Sequence, residues 1–129
     1  MSNPKGLITP EEAKKLNDAF TLRCDLVSKD ITKRPDNRST WFSLDEIKKY
    51  LAYAEAQAKE LGYEMDGIRI YCGAYPTVDG QVGYSTAFMV PTASNANGEE
   101  GNSLSHDIKD ARGLNMGGQG DPPSASYPQ

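Results

Sequence analysis

The chain has 129 residues, 37% of them hydrophobic and 25% charged, with a formal net charge of −4 and a mean hydropathy of −0.64. That length fits a single domain. No run of about 18 apolar residues is present, which argues against membrane helices. Two cysteines are too few to staple a disulfide scaffold. Polyanion binding relies on basic patches that release counterions, so the acidic balance argues against nucleic acid.

The charge is unevenly spread. Residues 94–129 hold five acids against Lys109 and Arg112, a net −3, which leaves residues 1–93 at −1. The start, Met-Ser-Asn-Pro-Lys-Gly-Leu, has no apolar h-region of a secretory signal. Cys24 and Cys72 both fall in predicted regular elements and read as small buried thiols. A cytoplasmic protein is the expectation.

The first helix starts at Thr9. Pro10 fits its first position, and Glu12 completes a Thr-x-x-Glu capping box. Ala13, Leu16, Phe20, Cys24 and Val27 make one apolar stripe that fades at Ser28 to Asp30. The second helix starts at Ser43, paired with Glu46 in another capping box and framed by Phe42 and Ile47 as a hydrophobic staple. Its stripe runs Leu44, Ile47, Leu51, Ala54, Ala58, Leu61, and Gly62 follows as the C-terminal cap.

Gly67 to Tyr75 and Gln81 to Val90 read as strands joined by Asp79-Gly80, a type I′ turn signal. That turn sets a register: Val78 opposite Gln81, Ile70 opposite Met89, Cys72 opposite Ala87, and Ala74 opposite Ser85. On the other face Arg69 meets Val90, Tyr71 meets Phe88, and Tyr75 meets Tyr84. Pro76 and Gly83 are where a bulge could shift it. One face is therefore small and suits a helix carrying Ala54 and Ala58. The other is aromatic and needs a cover, since two strands alone are marginal in water. The expected fold is α+β: two amphipathic helices on a small antiparallel sheet centred on this hairpin. Residues 1–93 form the domain. A Gly/Ser/Pro-rich segment, 94–129, follows with one short helix at 103–111.

Few constellations carry chemistry. His106, the only histidine, is followed by Asp107, but a zinc site needs more ligands than one histidine and two scattered cysteines. It reads as an exposed side chain. Gly117-Gly118-Gln119-Gly120-Asp121 lacks the Lys-Ser/Thr of a phosphate loop. No nucleophile-elbow serine occurs. Catalytic residues, metal and cofactor are therefore not expected.

Two stretches remain. Lys29 to Arg38 holds four basic residues with Asp30 and Asp36 interleaved, and it leads into the second helix. Arg34, Arg38 and Ser43 form either a small-anion site at that helix start or a salt-bridged loop in which Asp36 neutralises Arg34 or Arg38. Lengths place this loop near the hairpin tip and Arg69 at the far end, so the three arginines should not converge. Arg69, Tyr71, Tyr75, Tyr84 and Phe88 have the composition of a protein interface. They also suit core under the first helix or the tail, or a base-stacking sheet, which the charge opposes. The tail's Asp-Pro-Pro-Ser-Ala-Ser-Tyr-Pro could dock on them in polyproline II form. The leading expectation is a non-catalytic protein that self-associates or binds a protein partner through this face; the alternative is a binder of, or a simple enzyme acting on, a small anionic ligand near Arg34, Arg38 and the start of the second helix.

Three stretches, Arg34-Pro-Asp-Asn-Arg-Ser-Thr-Trp-Phe-Ser43, Gly67-Ile-Arg-Ile-Tyr-Cys-Gly-Ala-Tyr75 and Val90-Pro-Thr92, resemble a group of short bacterial proteins to which no activity is attached. The resemblance spans roughly residues 30–92 and implies no site residues.

Overall fold

A computed structural model describes residues 3–94, 104–115, 118–119 and 127. Helix α1 spans Pro10–Leu26 and α2 spans Leu44–Glu60. Strand β1 is Thr40–Trp41, β2 is Gly67–Ala74, β3 is Ser85–Ala93, β4 is His106–Asp107 and β5 is Gly118–Gln119. The fold is α+β, with β2, β3 and β4 in one antiparallel sheet in that order, and β1 paired with β5 separately.

Local chemistry sets the helix ends. At α1 the Thr9 hydroxyl accepts from the Glu12 N–H, and the Glu12 carboxylate accepts from the Thr9 N–H, so two orphan donors are satisfied at once. The helix gives way to a π-helical turn at Val27–Ile31. The Ser43 hydroxyl caps α2 by accepting from the Glu46 N–H at 3.0 Å. At its far end Tyr63 N–H donates to Ala58 and Gly62 N–H to Lys59, the paired bonds of a Schellman motif.

The hairpin register is the one the turn dictates. Asp79 and Gly80 both have positive φ, as type I′ requires. Ile70 lies opposite Met89, Tyr71 opposite Phe88, Cys72 opposite Ala87 and Arg69 opposite Val90. Between Val78–Gln81 and Tyr75–Tyr84, at Pro76 and Gly83, the alternation of bonded and non-bonded pairs slips by one step while the residue pairing stays the same. Tyr75 N–H still donates to Tyr84. A Cβ on Gly83 would lie 2.0 Å from the Tyr75 carbonyl oxygen, so only glycine fits there.

The core lies at the β3 end of the sheet. Ala58 of α2, Ala93 of β3 and Ile108 are buried together, with Tyr63, Met65 and Ala111 packed around them. Tyr50 of α2 donates its hydroxyl to the Arg112 carbonyl at 2.9 Å. So α2 meets the small face near Ala93, not over Cys72 and Ala87. Cys72 is exposed, contrary to expectation, while Cys24 is buried. The other end of that face borders an open hollow of about 510 Å³ between Phe20, Arg38, Phe42, Ile70, Cys72 and Met89.

The expected helix at 103–111 is absent over its described part, 104–111. His106 and Asp107 instead extend the sheet, opposite Ala93 and Thr92, and His106 is half-buried there rather than exposed. The physical reason is backbone pairing. Ile108 N–H donates to Pro91, and Met89 and Leu114 exchange a pair of hydrogen bonds, so residues 104–115 close one edge of β3. Of the glycine run, Gly118–Gln119 pairs with Thr40–Trp41. The rest of that run and of the proline-rich end lie outside the described residues, except Tyr127. Its N–H donates to Asn17 of α1.

Candidate functional site

The arginine loop is a clamp built on backbone. Arg34 donates to the Val82 carbonyl at 2.6 Å and to Thr32 at 3.0 Å, with its guanidinium 4.1 Å over the Tyr84 ring. Asp36 is buried and does not neutralise either arginine. Its carboxylate accepts from the Ser85 N–H at 2.7 Å and from the Ser85 hydroxyl. Asn37 donates to the Ser85 carbonyl at 3.1 Å. The reason is reach: this loop lies at the root of β3, where Ser85 offers donors that a buried carboxylate must have.

Arg38 turns the other way. It donates to Asn17 O, Asn17 Oδ1 and the Thr21 hydroxyl of α1, 5.5 Å from the centre of the Phe20 ring. Its buried Nε lacks a hydrogen-bond partner. Ser43 caps α2. Thus each residue weighed for an anion has a structural task, and the loop ties hairpin to α1.

The aromatic face is organised differently. Arg69, Tyr71, Phe88 and Tyr75 project from the face opposite α2, by the two-residue alternation of strands. Tyr71 and Phe88 stack with ring centres 5.3 Å apart. Tyr71 donates its hydroxyl to Asp107, and Arg69 grips the same carboxylate at 2.6 Å. Tyr75 donates to Asn115 at 3.2 Å and accepts from Thr86. Tyr71 is still 37% exposed and Tyr75 41%. Tyr84 belongs to the clamp instead, beneath Arg34.

The electrostatics follow these bonds. The hydrogen bond to Asp107 raises the Tyr71 pKa, as does loss of hydration. The same carboxylate raises that of Arg69. At the far end of β3, Asp66 accepts from Ser105 and Thr92 hydroxyls at 2.6 and 2.7 Å, which holds its pKa below the usual carboxylate value.

Arg34 lies at the hairpin tip, Arg38 on α1 and Arg69 beside β4, so the arginines do not converge. Asp107 and Asn115 were missed as site residues. Their segment has the composition of a linker, and the one signal is Arg69, the single charge in the predicted strand from Gly67 to Tyr75. Among the described residues no group of metal-ligating side chains occurs, and no helix is long and apolar enough to cross a membrane. The chain matches no family model, no curated protein and no solved structure.

Proposed function

We propose that this is a non-catalytic interaction protein that self-associates, with the aromatic hairpin face in its contact surface. The observation that carries this reading is the tethering of exposed rings. Tyr71 and Tyr75 keep open faces while Asp107 and Asn115 hold their hydroxyls, and Phe88 backs Tyr71. Aromatic side chains fixed before contact lose little conformational entropy on binding. Tyrosine and arginine are also the residue types that dominate interface energetics. A body of net charge near −1 adds little repulsion between copies.

Multi-angle light scattering on the full chain, from about 1 to 100 µM, tests this across the usual range of modest affinities. Concentration-dependent association is expected, weakened at least tenfold by the double change Tyr71→Ala, Tyr75→Ala. A monomer throughout that range overturns it.

A second reading, a small anionic ligand at Arg38, is supported by its unpartnered Nε on the wall of the hollow. It requires phosphate or a nucleotide to raise the melting temperature and Arg38→Ala to abolish that rise. No shift with any anion ends it.

A further inference from the structure

Among the described residues the outer edge of β2 is unpaired, and its chemistry is self-complementary. Met89 exchanges both of its backbone hydrogen bonds with Leu114 on the far side of β3, so its opposite number, Ile70, is not bonded to it. In an antiparallel ladder bonded and non-bonded pairs alternate. Ile68, Ile70, Cys72 and Ala74 therefore aim their N–H and C=O groups away from β3, at the outer edge of β2. The Tyr75–Tyr84 bond gives the same phase. Among the described residues no strand pairs with that edge.

The edge also lacks the usual protections. Proteins blunt exposed edges with lysine, proline, bulges or short strands. β2 is eight residues long, contains no lysine or proline, and keeps an unbroken register against β3. Its one charge, Arg69, is already gripped by Asp107. Ile70 on this edge is 67% exposed.

We propose that two copies of this chain pair through β2, antiparallel about a two-fold axis at Tyr71. This rests on the self-association reading and gives it a geometry. In that register Ile70 faces Cys72 of the other copy and Ile68 faces Ala74. The outward groups of all four residues are matched, about eight hydrogen bonds. Sliding by one step about Ile70 or Cys72 leaves an outward residue unmatched in each copy. Side-chain sizes agree with the same register. On one face Ile70 meets Cys72 and Ile68 meets Ala74; on the other Arg69 meets Gly73 and Tyr75 meets Gly67. Large lies beside small at every pair except the axial tyrosines, which extend the Phe88–Tyr71 stack across the junction.

Area sets what else must join. An eight-residue edge is about 27 Å long and about 10 Å thick, or about 270 Å² per copy. A stable interface needs about 800 Å² per partner. Side chains flanking the edge supply the remainder. Phe20, Ile70 and Cys72 lie on the hollow's side, and Tyr71 and Tyr75 on the aromatic side. Two-fold pairing consumes the outer edge of β2, so the assembly closes at two copies.

The test is cross-linking by position. At a non-bonded antiparallel pair the Cα atoms lie about 4.5 Å apart, within disulfide range. Tyr71→Cys in a Cys72→Ser background, oxidised with glutathione disulfide, is expected to give a covalent dimer. Arg69→Cys in that background is expected to stay uncross-linked, because its two copies lie about 14 Å apart along the strands. Ile70→Pro removes an outward N–H that β3 does not use, and is expected to weaken association at least tenfold with the monomer's far-UV circular dichroism unchanged. If that variant misfolds, Ile70→Lys serves the same purpose. A dimer that survives both substitutions, or that cross-links equally well at Arg69→Cys, overturns edge pairing but keeps self-association. A strict monomer overturns both.

Discussion

The two edges of the β2–β3 hairpin solve the same problem in opposite ways. On the β3 side, residues 104–115 cover the edge with backbone bonds from Ile108 and Leu114, and with Ile108 buried against Ala58. On the β2 side, four residues keep their donors and acceptors outward. The covering segment also supplies Asp107 and Asn115 to the aromatic face. One tail thus closes one edge and fixes the rings beside the other. The contrast shows that an edge can be guarded by chain of loop-like composition, provided that its backbone finds partners.

Breaking the closed edge should have the largest effect. Ile108→Ala removes a side chain that is only 2% exposed and leaves a cavity beside Ala58 and Ala93. A loss of about 2–5 kcal/mol is expected, read as a lower urea midpoint. A change under 0.5 kcal/mol would mean that the segment is not part of the core. Asp36→Ala comes next. It leaves the half-buried Ser85 N–H and hydroxyl at the root of β3 without their acceptor and should cost about 1–3 kcal/mol. Hydrogen exchange at Ser85 and Tyr84 should accelerate before the rest of the sheet. Tyr50→Phe deletes one hydroxyl bonded to Arg112 and should cost about 1 kcal/mol. Ile70→Lys at the open edge should leave monomer stability within about 0.5 kcal/mol, which separates the two edges cleanly.

The hairpin pairing was legible in the sequence; which of its edges is open and which is closed was not. Asp79-Gly80 demands positive φ at both residues, and that chemistry fixes every pair along β2 and β3. Capping residues likewise announced both helices. Residues 104–115 carry no such signature, because backbone pairing to Pro91 and Met89 leaves no periodic apolar pattern. Asp36 was misread for a related reason. Its charge suggested the neighbouring arginines, whereas its partner is Ser85, 49 residues away. At the site, the two-residue alternation placed Tyr71, Tyr75 and Phe88 on one face with Arg69. It could not show that Tyr84 serves the clamp, nor that Asp107 and Asn115 would immobilise the rings.

The smallest expected effects are of pH, and they load the two edges at opposite ends of the scale. Asp66 ties the far end of β3, at Thr92, to Ser105, the start of the covering segment. Its pKa is lowered in the folded chain, so its stabilisation is present above the ordinary carboxylate pKa and is lost as pH falls through the lower native value. The window opens below about pH 4. Tyr71 has the reverse sign. Its pKa is raised by Asp107, so its contribution is intact below the ordinary tyrosine pKa of about 10 and disappears as pH climbs through the higher native value. Both groups are largely hydrated, so each effect should be slight. Urea midpoints at pH 3, 7 and 10.5 should fall at both ends. Asp66→Asn should flatten the acid side alone and Tyr71→Phe the alkaline side alone. An acid decline unchanged in Asp66→Asn would place the titrating group elsewhere and detach the far end of β3 from the covering segment.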